Sequence, residues 1–178
     1  DDDPYVVVDS QGKLTWVIDA FTSTAVYPYA HHYQAQGKTV NYLRNSVKVT
    51  IDAYNGDMNF YVFDLEYSIL KTYQNTFPTL FQPSSKMPAD LREHIRFPET
   101  LLETQGQAFG LYHTTNPKIF FQREDVWTLA SLITKGQNND QPESLKPYFV
   151  LTQLPNGKDG LEFVKIVTFT PANRNNLI

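Results

Sequence analysis

The stretch VKVTIDAYNGDMNFYVFD, residues 47–64, consists of two alternating apolar and polar runs joined at Asn55-Gly56. Alternation with a period of two is typical of half-buried strands, and Asn-Gly favours a two-residue type I′ turn whose twist matches that of paired strands. The stretch therefore predicts a β-hairpin in which the numbers of paired residues add up to 111. In that register Val49 lies opposite Val62, and Ile51 lies opposite Phe60.

This hairpin has two chemically different faces. Because a slip of one residue would exchange the faces, we expect the pairing to be well specified. The apolar face is predicted to belong to the core, whereas the other face is mixed and its aromatic residues indicate partial cover. The predicted core face holds Val47, Val49, Ile51, Ala53, Met58, Phe60 and Val62, and the mixed face holds Lys48, Thr50, Asp52, Asn59, Tyr61 and Phe63.

Two further hairpins are predicted along the chain. Residues 5–8 and 14–18 are apolar and β-branched on either side of a turn cluster, and the segments 148–154 and 161–169 flank a Pro- and Gly-containing turn. Residues 22–41 are polar and aromatic without clear periodicity, which predicts a long loop. A loop of that length inside a compact domain is usually functional or belongs to an interface.

Apolar residues at helical spacing predict three or four helices between these hairpins. One helix is expected from about residue 65 to 76 behind an Asp64 cap, a short one after Pro88, and a longer one from Pro98 to Asn116. Residues 124–134 are predicted to form another helix, and residues 136–144 a polar loop. The chain is thus predicted to be a single α+β domain over residues 1–178, with a mainly antiparallel sheet and no βαβ rhythm.

Composition excludes several classes of protein. The 178 residues contain no cysteine, which excludes disulfide scaffolds, thiolate catalysis and cysteine-ligated metal centres. The net charge is -4 and the lysines and arginines are scattered, which argues against nucleic acid as a partner. No apolar window is long enough for a transmembrane helix, and no signal peptide precedes the first strand-like residues. This abrupt start predicts a piece excised from a longer protein.

No catalytic motif stands out. The Gly37-Lys38-Thr39 ending of a P-loop lacks the required glycine at position 32, which is a histidine. Two alternatives stay open: a hydrolase that brings Asp and His side chains together in a cleft, and metal binding through a histidine and a carboxylate. The hydrolase groups would be Asp19, Asp52, His31, His32 and His113, and the metal would be held by His31 or His32. No cofactor is predicted.

The best candidate for a binding surface is the Tyr27-Pro28-Tyr29 stretch of the predicted long loop, because loops are where partners commonly dock. Adjacent histidines on an extended chain point to opposite sides, so we expect His31 and His32 to lie in solvent or beside the tyrosines rather than to share a metal. The predicted interface comprises Tyr27, Tyr29, His31, His32 and Tyr33.

Seven phrases occur along the chain in a fixed order: DPYVVV (3–8), WVIDAFTS (16–23), YPY (27–29), NYLRNSVK (41–48), MPADLR (87–92), REDVW (123–127) and TFTPANRNN (168–176). Together they resemble one family, the Uncharacterised Protein Family 0182 of bacterial multi-pass membrane proteins. The resemblance covers nearly the whole chain, and residues 128–145 depart from the pattern.

The resemblance implies a longer parent protein with several transmembrane helices outside this segment. It implies that the segment is a soluble domain attached to the cell membrane, outside the cytoplasm, and it supplies no catalytic or ligand residues. The favoured hypothesis is therefore a non-enzymatic interaction module. Its expected partner is the rest of its own membrane-embedded chain or another protein of the cell envelope.

Overall fold

The computed structural model describes residues 3–132, 143–155, 157 and 160–172. The chain forms two compact units, residues 1–101 and residues 102–178, and the boundary falls within a helix. Strands and helices occur in both units, which confirms the α+β class. The prediction of a single domain stays a prediction. Among the helices of the described residues, none is long and apolar enough to cross a lipid bilayer.

The first unit is built on a five-stranded sheet. Its strands are β1 (Tyr5–Val8), β2 (Leu14–Thr24), β5 (Tyr42–Asp52), β6 (Met58–Val62) and β7 (Phe81–Pro83), in the order β1-β2-β5-β6-β7. All neighbours are antiparallel except β6 and β7, which are parallel and are joined through helix α1 (Ser68–Thr76). The unit therefore contains one βαβ crossover, which the expectation of no βαβ rhythm had missed.

The predicted hairpin at residues 47–64 exists, but its pairing is shifted by two residues. Val49 lies opposite Phe60 and Ile51 lies opposite Met58. The turn begins early because the Asp52 carboxylate accepts hydrogen bonds from the backbone N–H groups of Tyr54 (2.8 Å) and Asn55 (3.2 Å). The loop consequently contains the four residues 53–56 rather than two. Since a shift by two leaves the alternation intact, the predicted faces are retained.

The apolar face of this sheet packs against α1. Val47, Val49 and Val62 form a buried cluster with Tyr67 and Leu70, which lie at the start of the helix. The prediction of an Asp64 cap was wrong, because the Asp64 carboxylate is paired with Arg44 and the helix begins only at Ser68, without a side-chain cap. The predicted core face is thus the real one for Val47, Val49, Ile51, Phe60 and Val62, whereas Ala53 and Met58, which lie at the turn, are exposed. The helix begins three residues later than expected.

The opposite face of the sheet is buried as well, where only partial cover was expected. Tyr5, Val7, Val17 and Tyr61 form a second cluster with Met87 and with Leu91 of helix α2 (Ala89–Glu93). A 3₁₀ turn (Ser84–Lys86) leads into this cover. In addition, the Asp90 carboxylate of α2 accepts hydrogen bonds from the backbone N–H and the hydroxyl of Ser10, and these bonds lower its pKa.

A charged pair lies inside this second buried face. Lys48 of β5 lies directly opposite Asp19 of β2, and the two side chains form a salt bridge although they are only 6% and 3% exposed. Asn45 donates a hydrogen bond to Asp19 (3.0 Å), and the Lys48 ammonium also donates to the backbone carbonyl of Arg96 (3.2 Å). Asp19 lies in the middle of β2, since that strand continues to Thr24.

Residues 22–41 are only partly a loop. β2 runs to Thr24, and strands β3 (Tyr33–Ala35) and β4 (Lys38–Val40) form a hairpin around Gln36-Gly37. Both turn residues have positive φ, 51° and 69°, as a two-residue type I′ turn requires. The prediction of one long loop was therefore wrong at both ends, and the irregular part is limited to residues 25–32.

The second unit contains short paired strands around the long helix α3 (Glu99–Tyr112), which begins in the first unit. Residues 124–134 were predicted to be helical, but Trp127–Leu129 and Ser131–Leu132 are strands, and Trp127 and Leu129 pair with Pro171 and Phe169. Residues 133–134 lie outside the described residues. Residues 136–142 of the predicted polar loop lie outside the described residues, and 143–144 are strand. The remaining elements are α4 (Pro117–Gln122), β8 (Trp127–Leu129), β9 (Ser131–Leu132), β10 (Glu143–Ser144), β11 (Tyr148–Thr152), β12 (Glu162–Ile166) and β13 (Phe169–Pro171).

Strands β11 and β12 form the predicted last hairpin, and β8 pairs with β13 next to α3. The helix approaches β8 closely at Gly110, where an added Cβ atom would lie 2.2 Å from the Trp127 carbonyl oxygen. At Gly106 the nearest atom to such a Cβ would be Leu129 Cδ2, at 3.0 Å, which belongs to a mobile side-chain end. Glycine is thus required at 110 by backbone contact and tolerated at 106.

We predict that Gly110→Ala destabilises the second unit by about 1–3 kcal/mol, the usual cost of overpacking. Gly106→Ala is the matched control in the same helix, where the gain of roughly 1 kcal/mol in helix propensity offsets a small side-chain shift. Urea unfolding monitored by Trp127 fluorescence in a Trp16→Phe background measures both changes. Equal stabilities for the two variants would contradict the close approach.

We also predict that Asp19→Asn lowers the free energy of unfolding by about 3–5 kcal/mol, because it leaves the Lys48 ammonium buried without a counter-ion. The control is Lys71→Met, which removes the exposed Lys71–Glu66 pair (3.3 Å) and should cost less than about 1 kcal/mol. Urea unfolding compares the two. A cost for Asp19→Asn as small as that of the control would show that the pair contributes little.

Candidate functional site

The predicted interface residues surround an exposed loop at one end of the first unit. We call Val26, Tyr27, Pro28 and Tyr29 the aromatic tip. Tyr29 is fully exposed, Val26 is 84% exposed and Tyr27 is 52% exposed. Tyr29 has a φ of 60°, in the left-handed region that residues other than glycine rarely adopt. Large apolar side chains are thus held in solvent on a backbone with a specific, unfavourable conformation.

The side chain of Asn41 holds the tip in place. Its Oδ1 accepts a hydrogen bond from the Tyr27 N–H (2.9 Å), and its Nδ2 donates to the Tyr27 carbonyl (2.8 Å). The Asn41 side chain thus binds both backbone polar groups of Tyr27, as a neighbouring strand would. At the other end, a ring N–H of His32 donates to the Ala25 carbonyl (2.9 Å). The loop is therefore fixed by side chains although it has no regular secondary structure.

A row of aromatic rings connects the tip with the core of the first unit. The Tyr27 ring stacks on Tyr42 at 5.2 Å, and Tyr42 lies 6.4 Å from the ring of Tyr67. The Arg44 guanidinium lies over the Tyr67 ring at 4.4 Å and is also paired with Asp64. Burial raises the pKa of Tyr67. These contacts make the base of the tip rigid and leave Tyr29 and Val26 as its free end.

The two adjacent histidines of the interface have separate environments. The His31 ring packs edge-on against Tyr33 at 5.0 Å, whereas His32 binds the Ala25 carbonyl. Across the described ranges, no three side chains of His, Asp or Glu come together in a way that could hold a metal ion. The metal-binding alternative therefore has no geometric support at His31 or His32.

The carboxylates proposed for a hydrolase have structural contacts of their own. Asp19 is buried in the pair with Lys48, and Asp52 accepts the amides of the hairpin turn. The two residues lie opposite Lys48 and Thr15, which places them four strand positions apart, or about 13 Å. Carboxylate pairs in glycosidases lie about 5–10 Å apart. Asp19 and Asp52 therefore do not form such a pair.

His113 in the second unit has a different set of partners. One ring nitrogen, Nδ1, donates to the Phe109 carbonyl near the end of α3 (3.1 Å). The other, Nε2, faces both Asp125 Oδ2 and Thr114 Oγ1 at 3.4 Å, and the ring stacks on Trp127 at 3.8 Å. A hydrolase triad needs the carboxylate and the hydroxyl on opposite nitrogens. Here both lie at the same nitrogen.

A small pocket of about 160 Å³ lies beside the β3–β4 hairpin. Ala35, Gln36, Lys38 and Val40 line it from the hairpin, and Thr100 lines it from α3. The Gln36 side chain donates a hydrogen bond to the Thr100 hydroxyl (2.9 Å) and so fastens the hairpin to the helix. Pockets for drug-sized ligands usually measure about 300–1,000 Å³. The aromatic tip is therefore the stronger candidate site.

Comparison with protein families gives a match over the full length of the chain. The model of an uncharacterised protein family, UPF0182, matches residues 1–178. No solved structure matches the chain.

Individual members of the same family are also similar to the chain. UPF0182 proteins of Desulforamulus reducens, Methanospirillum hungatei and Solibacter usitatus are 43%, 42% and 44% identical to it, each over its whole length. The chain spans only 18%, 20% and 19% of the lengths of these relatives. It corresponds to about a fifth of a longer polypeptide in each of them.

We predict that Asn41→Ala loosens the tip, because it removes both hydrogen bonds to Tyr27. The Tyr27 amide should exchange with solvent about tenfold faster, as expected for losing roughly 1–2 kcal/mol of local stability. Asn55→Ala is the matched control, since the Asn55 side chain accepts the Asp57 amide (2.9 Å) in the other hairpin. Residue-resolved hydrogen exchange reads both sites. An unchanged Tyr27 amide in Asn41→Ala would contradict the tether.

Proposed function

Because the chain belongs to the uncharacterised protein family UPF0182, we propose that residues 1–178 form a non-enzymatic interaction module and that the aromatic tip is its contact surface. The conformation of Tyr29 is the observation that carries this proposal. A non-glycine residue in the left-handed region costs about 1–2 kcal/mol, and such strain is concentrated at functional positions. The first unit gains no burial of the Tyr29 side chain in return.

The tip has the composition of a protein-binding hot spot. Val26, Tyr27, Pro28 and Tyr29 are uncharged, and three of them carry large apolar surface that is exposed. Tyrosine is enriched at positions that dominate binding energy, since it buries a ring and keeps one polar group. The fixed base of the loop reduces the entropy that binding would cost. A partner would therefore offer an apolar pocket with a hydrogen-bond acceptor for a phenol.

We further propose that the partner is the rest of the polypeptide or a neighbouring envelope protein. Identity above 40% to relatives about five times as long supports a role as one part of a larger molecule. The family resemblance is the basis for placing this molecule in the cell membrane, with residues 1–178 as a soluble part outside the cytoplasm. None of the Asp and His groups considered for a hydrolase favours an enzymatic function over this one.

A photo-cross-linker at position 29 tests the proposal. Benzoylphenylalanine replaces Tyr29 in the intact polypeptide in its native cells, and it replaces Tyr54 in a matched variant. Tyr54 is likewise an exposed tyrosine (69%) in a hairpin loop. We expect a defined adduct from position 29 and none from position 54, and mass spectrometry of the adduct identifies the partner.

A second measurement separates contact from mere proximity. With the cross-linker at Val26, Tyr29→Ala should lower the adduct yield by about tenfold or more, because hot-spot residues contribute about 2 kcal/mol or more. Tyr54→Ala should leave that yield unchanged. Adducts of equal yield from positions 29 and 54, or no adduct from either, would rule out the tip as the interface.

A further inference from the structure

The two units differ sharply in how much apolar surface they bury. Thirteen hydrophobic residues are buried in the first unit, whereas Ala130 is the one buried hydrophobic residue in the described part of residues 102–178. Both buried clusters described above belong to the first unit. Most other large apolar side chains in the described part of residues 102–178 are half-buried. Since a domain is stabilised chiefly by apolar burial, the second unit gains less from this term than the first unit does.

Three of the exposed apolar side chains in the described part of residues 102–178 lie on one face of the β11–β12 hairpin. Leu151 and Phe163 are directly paired, and the rings of Phe149 and Phe163 stack at 4.5 Å and nearly parallel (2°). Leu161 lies two residues before Phe163, so in an extended chain its side chain is on the same face of the hairpin. Leu151, Leu161 and Phe163 are 60%, 67% and 62% exposed. We call Phe149, Leu151, Leu161 and Phe163 the open face of the hairpin.

The other face of this hairpin is less exposed. Its residues Val150, Val164 and Ile166 are half-buried. A two-stranded hairpin is marginal in water by itself, and three strands or a packed helix are needed for independent stability. Since one face is already in use, the stability that is lacking has to come from the open face.

We propose that, in the intact polypeptide, an apolar segment from outside residues 1–178 packs on the open face and completes the core of the second unit. The relatives supply the reason for choosing this occupant, because the matched region is only 18–20% of their length. A unit with so little fully buried apolar surface needs further cover whenever it is folded. A segment of the same polypeptide is always present at one copy per unit. A second molecule occupies the face only when its concentration exceeds its dissociation constant.

The stacked rings and the flanking leucines define what fits there. The open face is apolar apart from the Lys165 ammonium, which lies 5.1 Å from the Phe149 ring centroid. A strand or helix that presents two or three aliphatic side chains would cover it. This proposal is independent of the aromatic tip, which lies in the first unit.

Cross-linking in the intact polypeptide tests the occupant. Benzoylphenylalanine replaces Phe163, and the control replaces Tyr54 of the first unit. We expect an intramolecular adduct between position 163 and a peptide outside residues 1–178, with a yield at least about tenfold above the control, as full burial of one such side chain implies. An adduct to a second copy, to another protein, or to residues 1–178 alone would overturn the proposal.

A pair of charge substitutions gives a second, independent readout. Leu151→Glu and Val8→Glu each place a carboxylate at an exposed aliphatic position of a strand, 60% and 55% exposed. We expect limited proteolysis of the intact polypeptide to cleave residues 102–178 several-fold faster in Leu151→Glu only. Equal protease resistance of the two variants would overturn the proposal even if both fold.

Discussion

The central strand of the first unit is enclosed on both sides, and one charged pair makes this possible. Residues 46–50 of β5 are all buried, so alternate side chains enter two different cores. On one side valines meet α1, and on the other Lys48 has to find a counter-ion within the sheet. Asp19 supplies it from the adjacent strand. An uncompensated buried charge is so costly that this pair fixes which residues of β2 and β5 lie opposite each other.

Much of this sheet was predictable because its information is local. The alternation in residues 47–64 identified both strands and the face that packs on α1. Turn geometry was less predictable, because the Asp52 carboxylate binds the Tyr54 and Asn55 amides and so begins the turn before the Asn55-Gly56 dipeptide. The type I′ turn lies instead at Gln36-Gly37, whose hairpin is too short for its alternation to be visible. The apolar residues at helical spacing in 124–134 suggested a helix. Residues 127–129 instead form a strand, because β-branched and aromatic residues favour strands and because β13 is available to pair with them.

The sequence indicated which residues belong to the candidate site, but not the contacts that hold them in place. Tyrosines in an irregular stretch indicated a surface, and Tyr29 and Tyr27 are indeed exposed. The tether by Asn41, fourteen residues from Tyr27, has no local signature because it depends on the return of the chain through β3 and β4. The requirement for glycine at 110 is of the same kind, since the atom that excludes a side chain belongs to Trp127. Long-range contacts of single atoms leave no periodic trace in a sequence.

The contrast between the two units connects the proposals to the length of the relatives. The first unit has two buried clusters and a satisfied ion pair, so its exposed tip is a surface on a stable support. The second unit has short strand pairs and a close helix contact at Gly110, and the large apolar side chains of its described part are half-buried or exposed rather than fully buried. We propose that chain beyond this region covers those that lie on the open face of the β11–β12 hairpin. In these proposals the first unit presents the aromatic tip to a partner, and the second unit is completed by a segment that packs on its open face. Both roles are expected for one segment of a longer polypeptide.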